Sequence, residues 1–344
     1  MPSIVNSRPA QPRRKPPALA PGDTVGIVAP ASNIKPELLA AGVRGLERMG
    51  YRAFYLPSIL DHELYFAGSV QRRARELEEM FERDEVRAIL CARGGYGTNT
   101  LLEALDLKKI AAHPKIFCGC SDVTTLLTYF ADQAGFVTFH GPMATSDFAG
   151  KEGGGVELSS WQAAVSGKPE WDLPSSNVRA LVEGSADGVL YGGCLSLLVA
   201  SLGTPYEIQT GGTILFLEDV GAKPYQIDRM LMQLRLAGKF AGVRALVFGE
   251  MLDCKQHPDQ KYSLDEVILR VVGDLGVPVV TGLKSGHVTG ENITLPIGAQ
   301  ARLRAEKKVG VKLSVVEPAT TARPAQKTSS AQTSSAKPPA RGRS

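Results

Sequence analysis

No apolar run in this chain approaches the roughly 20 residues needed to cross a bilayer. The first twenty residues hold no apolar segment of the signal-peptide kind, so a secretory signal is not expected. Cysteine is scarce. Five in 344 residues, scattered through apolar segments, suit reduced thiols in a cytosol. Cys118 and Cys120 form a lone C-x-C with no second pair, and the five histidines include no HExxH spacing, so no metal site is expected. Tryptophan is limited to Trp161 and Trp171, both read as packing residues.

Acids are missing from both ends. Residues 1–20 carry Arg8, Arg13, Arg14 and Lys15, and residues 319–344 carry Arg323, Lys327, Lys337, Arg341 and Arg343, with no Asp or Glu in either stretch. Taking these nine cations from the formal +4 leaves −5 on the body, so no basic groove for nucleic acid is expected in the folded part. Both ends are rich in Pro, Ala, Ser and Thr and lack apolar periodicity, and are expected to be disordered. The tail is read as a solubilising extension, with weak attachment to RNA or an anionic surface as the alternative.

What is present is a 43% hydrophobic chain, enough for two domains with their own cores. Over 21–146, short apolar runs such as "TVGIVAP", "VRAILCAR" and "KIFCGC" alternate with amphipathic stretches such as "PELLAAGVRGLERMG" and "SVQRRARELEEMFERD". That alternation predicts βαβ crossovers, a doubly wound parallel sheet, and ligands at the carboxyl ends of its strands. Residues 147–186, rich in Gly, Ser and Pro, read as a linker holding one helix near Trp161. A smaller mixed α/β unit is expected over 187–318, closing with a hairpin of "NITLPIGAQARLRA" and "GVKLSVVE".

Four stretches could carry chemistry. "KIFCGCSDVTTLL" offers Cys118, Cys120 and Ser121 where a strand turns into a helix. Such a corner can expose a nucleophile beside the N–H groups that open the helix. Gly119, two before Ser121, fits the turn, whereas alternation aims Cys118 and Cys120 to one face, toward core; Val123 leaves the G-x-S-x-G form incomplete. A serine before a helix is also an ordinary N-cap. "CARGGYGTN" places consecutive glycines at a strand end, where backbone N–H groups could cradle an anion or form an ordinary turn. No GxGxxG occurs there and no Lys-Thr or Lys-Ser follows, so no nucleotide cofactor is expected. "TILFLEDVG" ends a strand on Glu218 and Asp219, and "GLKSGHVTGENITLPIG" sets His287 in a Gly-flanked loop, with His140 of "TFHGP" competing for the role of base. Jointly they fit one scheme: Ser121 attacks, His287 takes its proton, Glu218 orients the imidazole, and the N–H groups of Gly95 and Asp122 hold an oxyanion.

These stretches also resemble a family. "GDTVGIVAPAS", "ARGGYGT", "GCSDVT", "HGPM", "YGGCLSLLVASLGTPYE", "LFLEDVG" with "PYQIDRMLMQL", and "GHV" with "LPIGAQARL", spread over 21–317, resemble the LD-carboxypeptidases, serine peptidases of peptidoglycan fragments. The resemblance implies a catalytic triad at Ser121, Glu218 and His287, oxyanion donors at Gly95 and Asp122, and no cofactor or metal. It implies a doubly wound N-terminal domain with a swivelling β/β/α-type C-terminal domain, and a cytoplasmic homodimer without membrane attachment. Its characteristic reaction releases terminal D-alanine from a small-molecule muropeptide. A branch that resembles microcin C self-immunity proteins, cleaving aminoacyl-adenylate-type amides, is the alternative; a non-catalytic muropeptide- or nucleotide-binding protein is a more distant one. Cys194, where the family commonly has Asn, and Ala222 and Lys223, where an acid is usual, bear on substrate recognition. So does "TNT" after the glycine loop, where an Arg is often found.

Overall fold

The computed structural model describes residues 12–150 and 155–322. Alternating apolar runs and amphipathic stretches become strands and helices in the expected order. The first half supplies β1 (Thr24–Val28), α1 (Pro36–Arg48), β2 (Arg52–Phe54), α2 (Val70–Glu82), β3 (Val86–Cys91), α3 (Leu107–Ala112), β4 (Ile116–Gly119), α4 (Thr124–Tyr129) and β5 (Thr138–His140). These five strands are parallel, in the order β5-β4-β3-β1-β2, with their apolar side chains buried in two clusters. Local signals agree with the boundaries. Pro36 opens α1, and the Ser69 hydroxyl caps α2 by accepting from the Arg72 N–H. Gly45 lets α1 touch the chain beside it: a Cβ there would lie 2.0 Å from the Phe148 carbonyl oxygen.

The second half is larger than expected, because the stretch read as a linker is built into it. Residues 147–186 hold α5 (Leu158–Val165) and two strands, β6 (Trp171–Asp172) and β7 (Arg179–Val182). The chain continues through β8 (Gly184–Cys194), α6 (Leu195–Ala200), β9 (Thr213–Glu218), α7 (Pro224–Leu236), β10 (Ala245–Gly249), α8 (Leu264–Val272) and β11 (Val279–Leu283). It ends with β12 (Leu295–Ile297), β13 (Gln300–Glu306) and β14 (Gly310–Val315). Eight strands form one mixed sheet in the order β6-β14-β13-β8-β9-β10-β11-β7. Its parallel centre is β8-β9-β10-β11, and its flanking pairs are antiparallel. Short strands at sheet edges, such as β6 and β7, carry too little periodicity to stand out from a Gly/Pro/Ser-rich sequence.

One strand crosses between the halves. β12 leaves the second unit and pairs antiparallel with β5, Leu295 opposite His140, at the edge of the first sheet. It is therefore not the first arm of the expected hairpin, which is made by β13 and β14. The crossing returns the loop after β11 to the carboxyl end of β5. A second tie comes from the N-terminal stretch, of which residues 12–20 are ordered rather than disordered. Arg13 ion-pairs with the buried Asp132 at 2.8 Å, Lys15 pairs with Glu317 at 2.8 Å, and Leu19 is buried in the core. Asp132 needs a counter-ion, since burial raises its pKa while the adjacent guanidinium lowers it. Three of the four N-terminal cations belong to the folded part: Arg13, Lys15 and Arg14, whose guanidinium donates to the Ala134 carbonyl at 2.9 Å. At the other end, Ala319 and Thr320 are fully buried, and Thr321 bridges to Pro17, so the ordered chain runs past 318. The rest of the extension, residues 1–11, and of the tail, residues 323–344, lie outside the described residues.

Arg13→Ala leaves the Asp132 carboxylate buried without its cation. We expect a loss of roughly 3 kcal/mol in urea unfolding at pH 7. Arg13→Ala combined with Asp132→Asn should recover much of it; an unchanged midpoint in the single variant would show the strap to be ornamental.

Candidate active site

β4 ends at Gly119, and the chain stays extended through Cys120 before it turns at Ser121. A Cβ on Gly119 would meet Cys91 Cβ and Val123 Cγ1, each at 3.0 Å, so any side chain would crowd the space between β3 and the oncoming turn. Two residues later Ser121 adopts φ +61°, a left-handed conformation that costs a non-glycine residue on the order of 1–2 kcal/mol. It opens a short 3-10 turn, Ser121–Val123, that runs directly into α4. The turn has no side-chain cap, so the N-cap reading of Ser121 is not met: the cap position is Cys120, and the Val123 N–H bonds to the Cys120 carbonyl at 3.2 Å. A strained serine that caps nothing, at the carboxyl end of a parallel strand, is the geometry of a nucleophile elbow.

The two cysteines are placed differently. Both are buried, as expected, Cys118 packing in the cluster that holds Leu90 and Phe139 and Cys120 in the one that holds Phe117 and Val123. Burial pushes both thiols well up, which leaves neither as a ready thiolate at neutral pH.

The glycine-rich loop after β3 is fitted against the elbow. A Cβ on Gly94 would lie 2.7 Å from Ser121 Cβ and 3.3 Å from the Asp122 N. Gly95 has φ +105°, and a Cβ there would strike the Ser32 hydroxyl. The loop and the elbow are latched together by two bonds: Thr98 N–H donates to Asp122 Oδ2 at 2.8 Å, and the Thr98 hydroxyl donates to the Asp122 carbonyl at 2.6 Å. Asp122 thus offers its backbone at the elbow while its buried side chain fixes the loop.

Glu218 ends β9 and is fully buried. Its Oε2 accepts from the His287 backbone N–H at 3.1 Å and pairs with His287 Nδ1 at 2.8 Å. Its Oε1 lies 3.7 Å from His140 Nε2, a close electrostatic contact. Gly286 makes this possible, since a Cβ there would sit 2.6 Å from Glu218 Cδ and 2.8 Å from His140 Cε1. Burial by itself raises the Glu218 pKa, but the imidazoles of His140 and His287 outweigh it and bring it down to about 2. For His287 burial lowers the pKa, while the hydrogen bond and charge of Glu218 raise it to a net value above 6.5. His140 and His287 were rivals in the sequence. Both touch the same carboxylate, but only His287 lines the open cleft with Ser121, Gly94 and Gly95. That cleft measures about 320 Å³.

Asp219, beside Glu218, has a structural task, accepting from the Ser196 N–H at 2.9 Å at the start of α6. The His287 loop is held by Asn292, which sequence reasoning did not single out. Its Oδ1 accepts from the Gly286 N–H at 2.9 Å, and its Nδ2 donates to the Gly286 carbonyl at 3.1 Å and to Asp147 at 3.2 Å. Cys194 Sγ, a Glu218 oxygen and a His287 nitrogen lie within 4.8 Å of one another. Burial keeps the Cys194 thiol protonated, and Glu218 and His287 are already joined to each other.

Two family models match the chain: the LD-carboxypeptidase N-terminal domain over residues 25–141 and the LD-carboxypeptidase C-terminal domain over 187–303. The chain belongs to the LD-carboxypeptidase family. Among LD-carboxypeptidases and their kin, it is 39% identical over 300 residues to a probable murein peptide carboxypeptidase of Bacillus subtilis (strain 168), covering 86% of this chain and 93% of that one. The structure of a muramoyltetrapeptide carboxypeptidase from Oxalobacter formigenes matches with a TM-score of 0.76 at 30% identity, over 86% of this chain and 99% of that chain. The wild-type apo structure of the microcin C7 self-immunity protein MccF matches with a TM-score of 0.82 at 24% identity, over 90% and 100% of the two chains, a likeness of fold.

The Glu218–His287 pair sets two pH windows. Stability from the depressed Glu218 pKa is complete above its ordinary 4.5 and is lost as pH falls through about 2. Stability from the raised His287 pKa is complete below 6.5 and is lost as pH climbs through the folded value. In NMR titration of the imidazoles, His287 should titrate above 6.5 in the parent and below it in Glu218→Gln, where burial acts without the carboxylate. An unshifted His287 in that variant would mean the pair is not electrostatically coupled.

Proposed function

We propose that this LD-carboxypeptidase family member is a serine peptidase that hydrolyses the L,D-peptide bond before a terminal D-alanine in muropeptide tetrapeptides. The observation that carries the reading is the meeting, in one cleft, of a positive-φ serine at an elbow with a histidine bonded through Nδ1 to a buried carboxylate. In this mechanism His287 Nε2, the ring nitrogen left free by Glu218, takes the Ser121 hydroxyl proton as Oγ attacks the scissile carbonyl carbon. The N–H groups of Gly95 and Asp122 hold the oxyanion. Collapse breaks the C–N bond, His287 passes its proton to the departing D-alanine amine, and an acyl ester remains on Ser121. Water, deprotonated by the same imidazole, then attacks the ester and frees the tripeptide and the serine. Glu218 stays ionised throughout, consistent with its depressed pKa.

The reading places the enzyme in the cytoplasm on recycled muropeptides, as a homodimer. Five free, buried thiols suit a reducing compartment, and the dimer rests on the family resemblance. No helix among the described residues is long and apolar enough to cross a membrane.

The test is release of D-alanine from a muramoyl tetrapeptide, with an aminoacyl-sulfamoyl-adenosine as competing substrate. Ser121→Ala should lower kcat by several orders of magnitude, on the order of a million-fold in one worked protease, while Cys120→Ala keeps most activity. A dead Cys120→Ala with an active Ser121→Ala would reverse the nucleophile assignment. Cleavage of the adenosine compound alone would move the substrate class and leave the mechanism standing.

A further inference from the structure

A carboxypeptidase must recognise the end of its substrate, and the α-carboxylate of the departing residue lies only three bonds from the scissile carbonyl carbon. The cation that reads it must therefore border the nucleophile. The cleft around Ser121 is lined by two cations, Lys35 and Arg93, and by no carboxylate. We infer that Lys35 and Arg93 form the subsite for the terminal α-carboxylate of the leaving D-residue. The inference rests on the serine-carboxypeptidase reading above and adds the feature that makes the enzyme act only at chain ends.

Three observations support it. First, neither cation is neutralised: among the described residues, Lys35 and Arg93 have no acidic partner, and Arg93 makes one long bond, Nη1 to the Asn33 carbonyl at 3.3 Å. By contrast, Arg13, Arg72 and Arg83 each pair with an acid. Second, the charge of Lys35 does nothing for the helix it begins. Lys35 is the N-cap of α1 and makes no side-chain cap bond, so a cation stands at the positive end of a 13-residue helix. Arg93, exposed like Lys35, lines the same cleft, so an anion there would meet two cations beside a helix N-terminus. Third, Arg93 directly precedes Gly94, the residue pressed against Ser121, so its backbone is fixed one residue from that contact and its side chain lines the same cleft. Ile34, Leu38 and Met143 complete the wall with apolar surface suited to a small side chain such as the methyl of D-alanine. A planar guanidinium can take a carboxylate through two parallel N–H bonds, with Lys35 as a point charge beside it.

The experiment compares kcat/KM for a tetrapeptide ending in free D-alanine with the same peptide ending in D-alaninamide. The parent should prefer the free acid. Arg93→Ala should reduce that preference by on the order of 10- to 100-fold, mainly through KM of the acid, as expected for losing hydrogen bonds to a charged group. Lys35→Ala should reduce it less, and Arg93→Lys should restore part of it by returning the charge without the fork. An acid-to-amide ratio unchanged in Arg93→Ala and Lys35→Ala would overturn the subsite. A parent that cleaves neither peptide, or a Ser121→Ala variant that cleaves both, would overturn the function on which the subsite rests, a result distinct from the first.

Discussion

The buried Glu218 carboxylate is the constraint around which the rest is arranged. A full negative charge without solvent is costly unless positive or donor groups surround it. Here His287 supplies two donors and His140 stands at the other oxygen. These groups come from three parts of the chain: Glu218 from the end of β9, His140 from the end of β5, and His287 from the loop after β11. The carboxylate therefore acts as a pin between the two sheets. The glycines around it follow from the same demand, since Gly249 and Gly286 each approach Glu218 too closely for a side chain.

Strain at Ser121 is stored against that pin. The elbow is latched on one side by Thr98 and Asp122 to the glycine loop, and on the other by α4 to the second sheet, where the Cys194 N–H donates to Thr124 Oγ1 at 3.0 Å. Gly193 must be glycine there, because a Cβ would meet Thr124 at 2.7 Å. A serine held in an unfavourable conformation by contacts on both sides presents its hydroxyl to the cleft in a fixed direction. The crossing of β12 to β5 brings the His287 loop to the same place, so the cleft that holds Ser121 and His287 depends on contacts between the halves.

Much of this was legible in the residues. Short apolar runs between amphipathic helices made the parallel pairing of β1 through β5 legible, though not their order in the sheet, and glycine at 119 fitted the turn to Ser121. Glu218 and His287 could be named as candidates because each falls at a strand end or glycine-flanked loop, but no spacing could join residues so far apart in the chain. What stayed hidden depends on tertiary contact. β6 and β7 are too short to show alternation, β12 chooses its sheet by long-range pairing, and Arg13 looks like any basic tail residue until Asp132 is seen beneath it. Asn292 carried no signal because its task is to brace a loop, which any polar residue in a Gly-rich stretch could be doing.

The central claim is that the Glu218–His287 pair activates Ser121. It is tested most directly by labelling with a fluorophosphonate and mapping the adduct by peptide mass spectrometry as a function of pH. The account predicts one adduct, on Ser121, forming faster as pH rises through the His287 pKa and slowed by orders of magnitude in Glu218→Gln. An adduct on Cys120, or labelling of Ser121 at the same rate in Glu218→Gln, would contradict it.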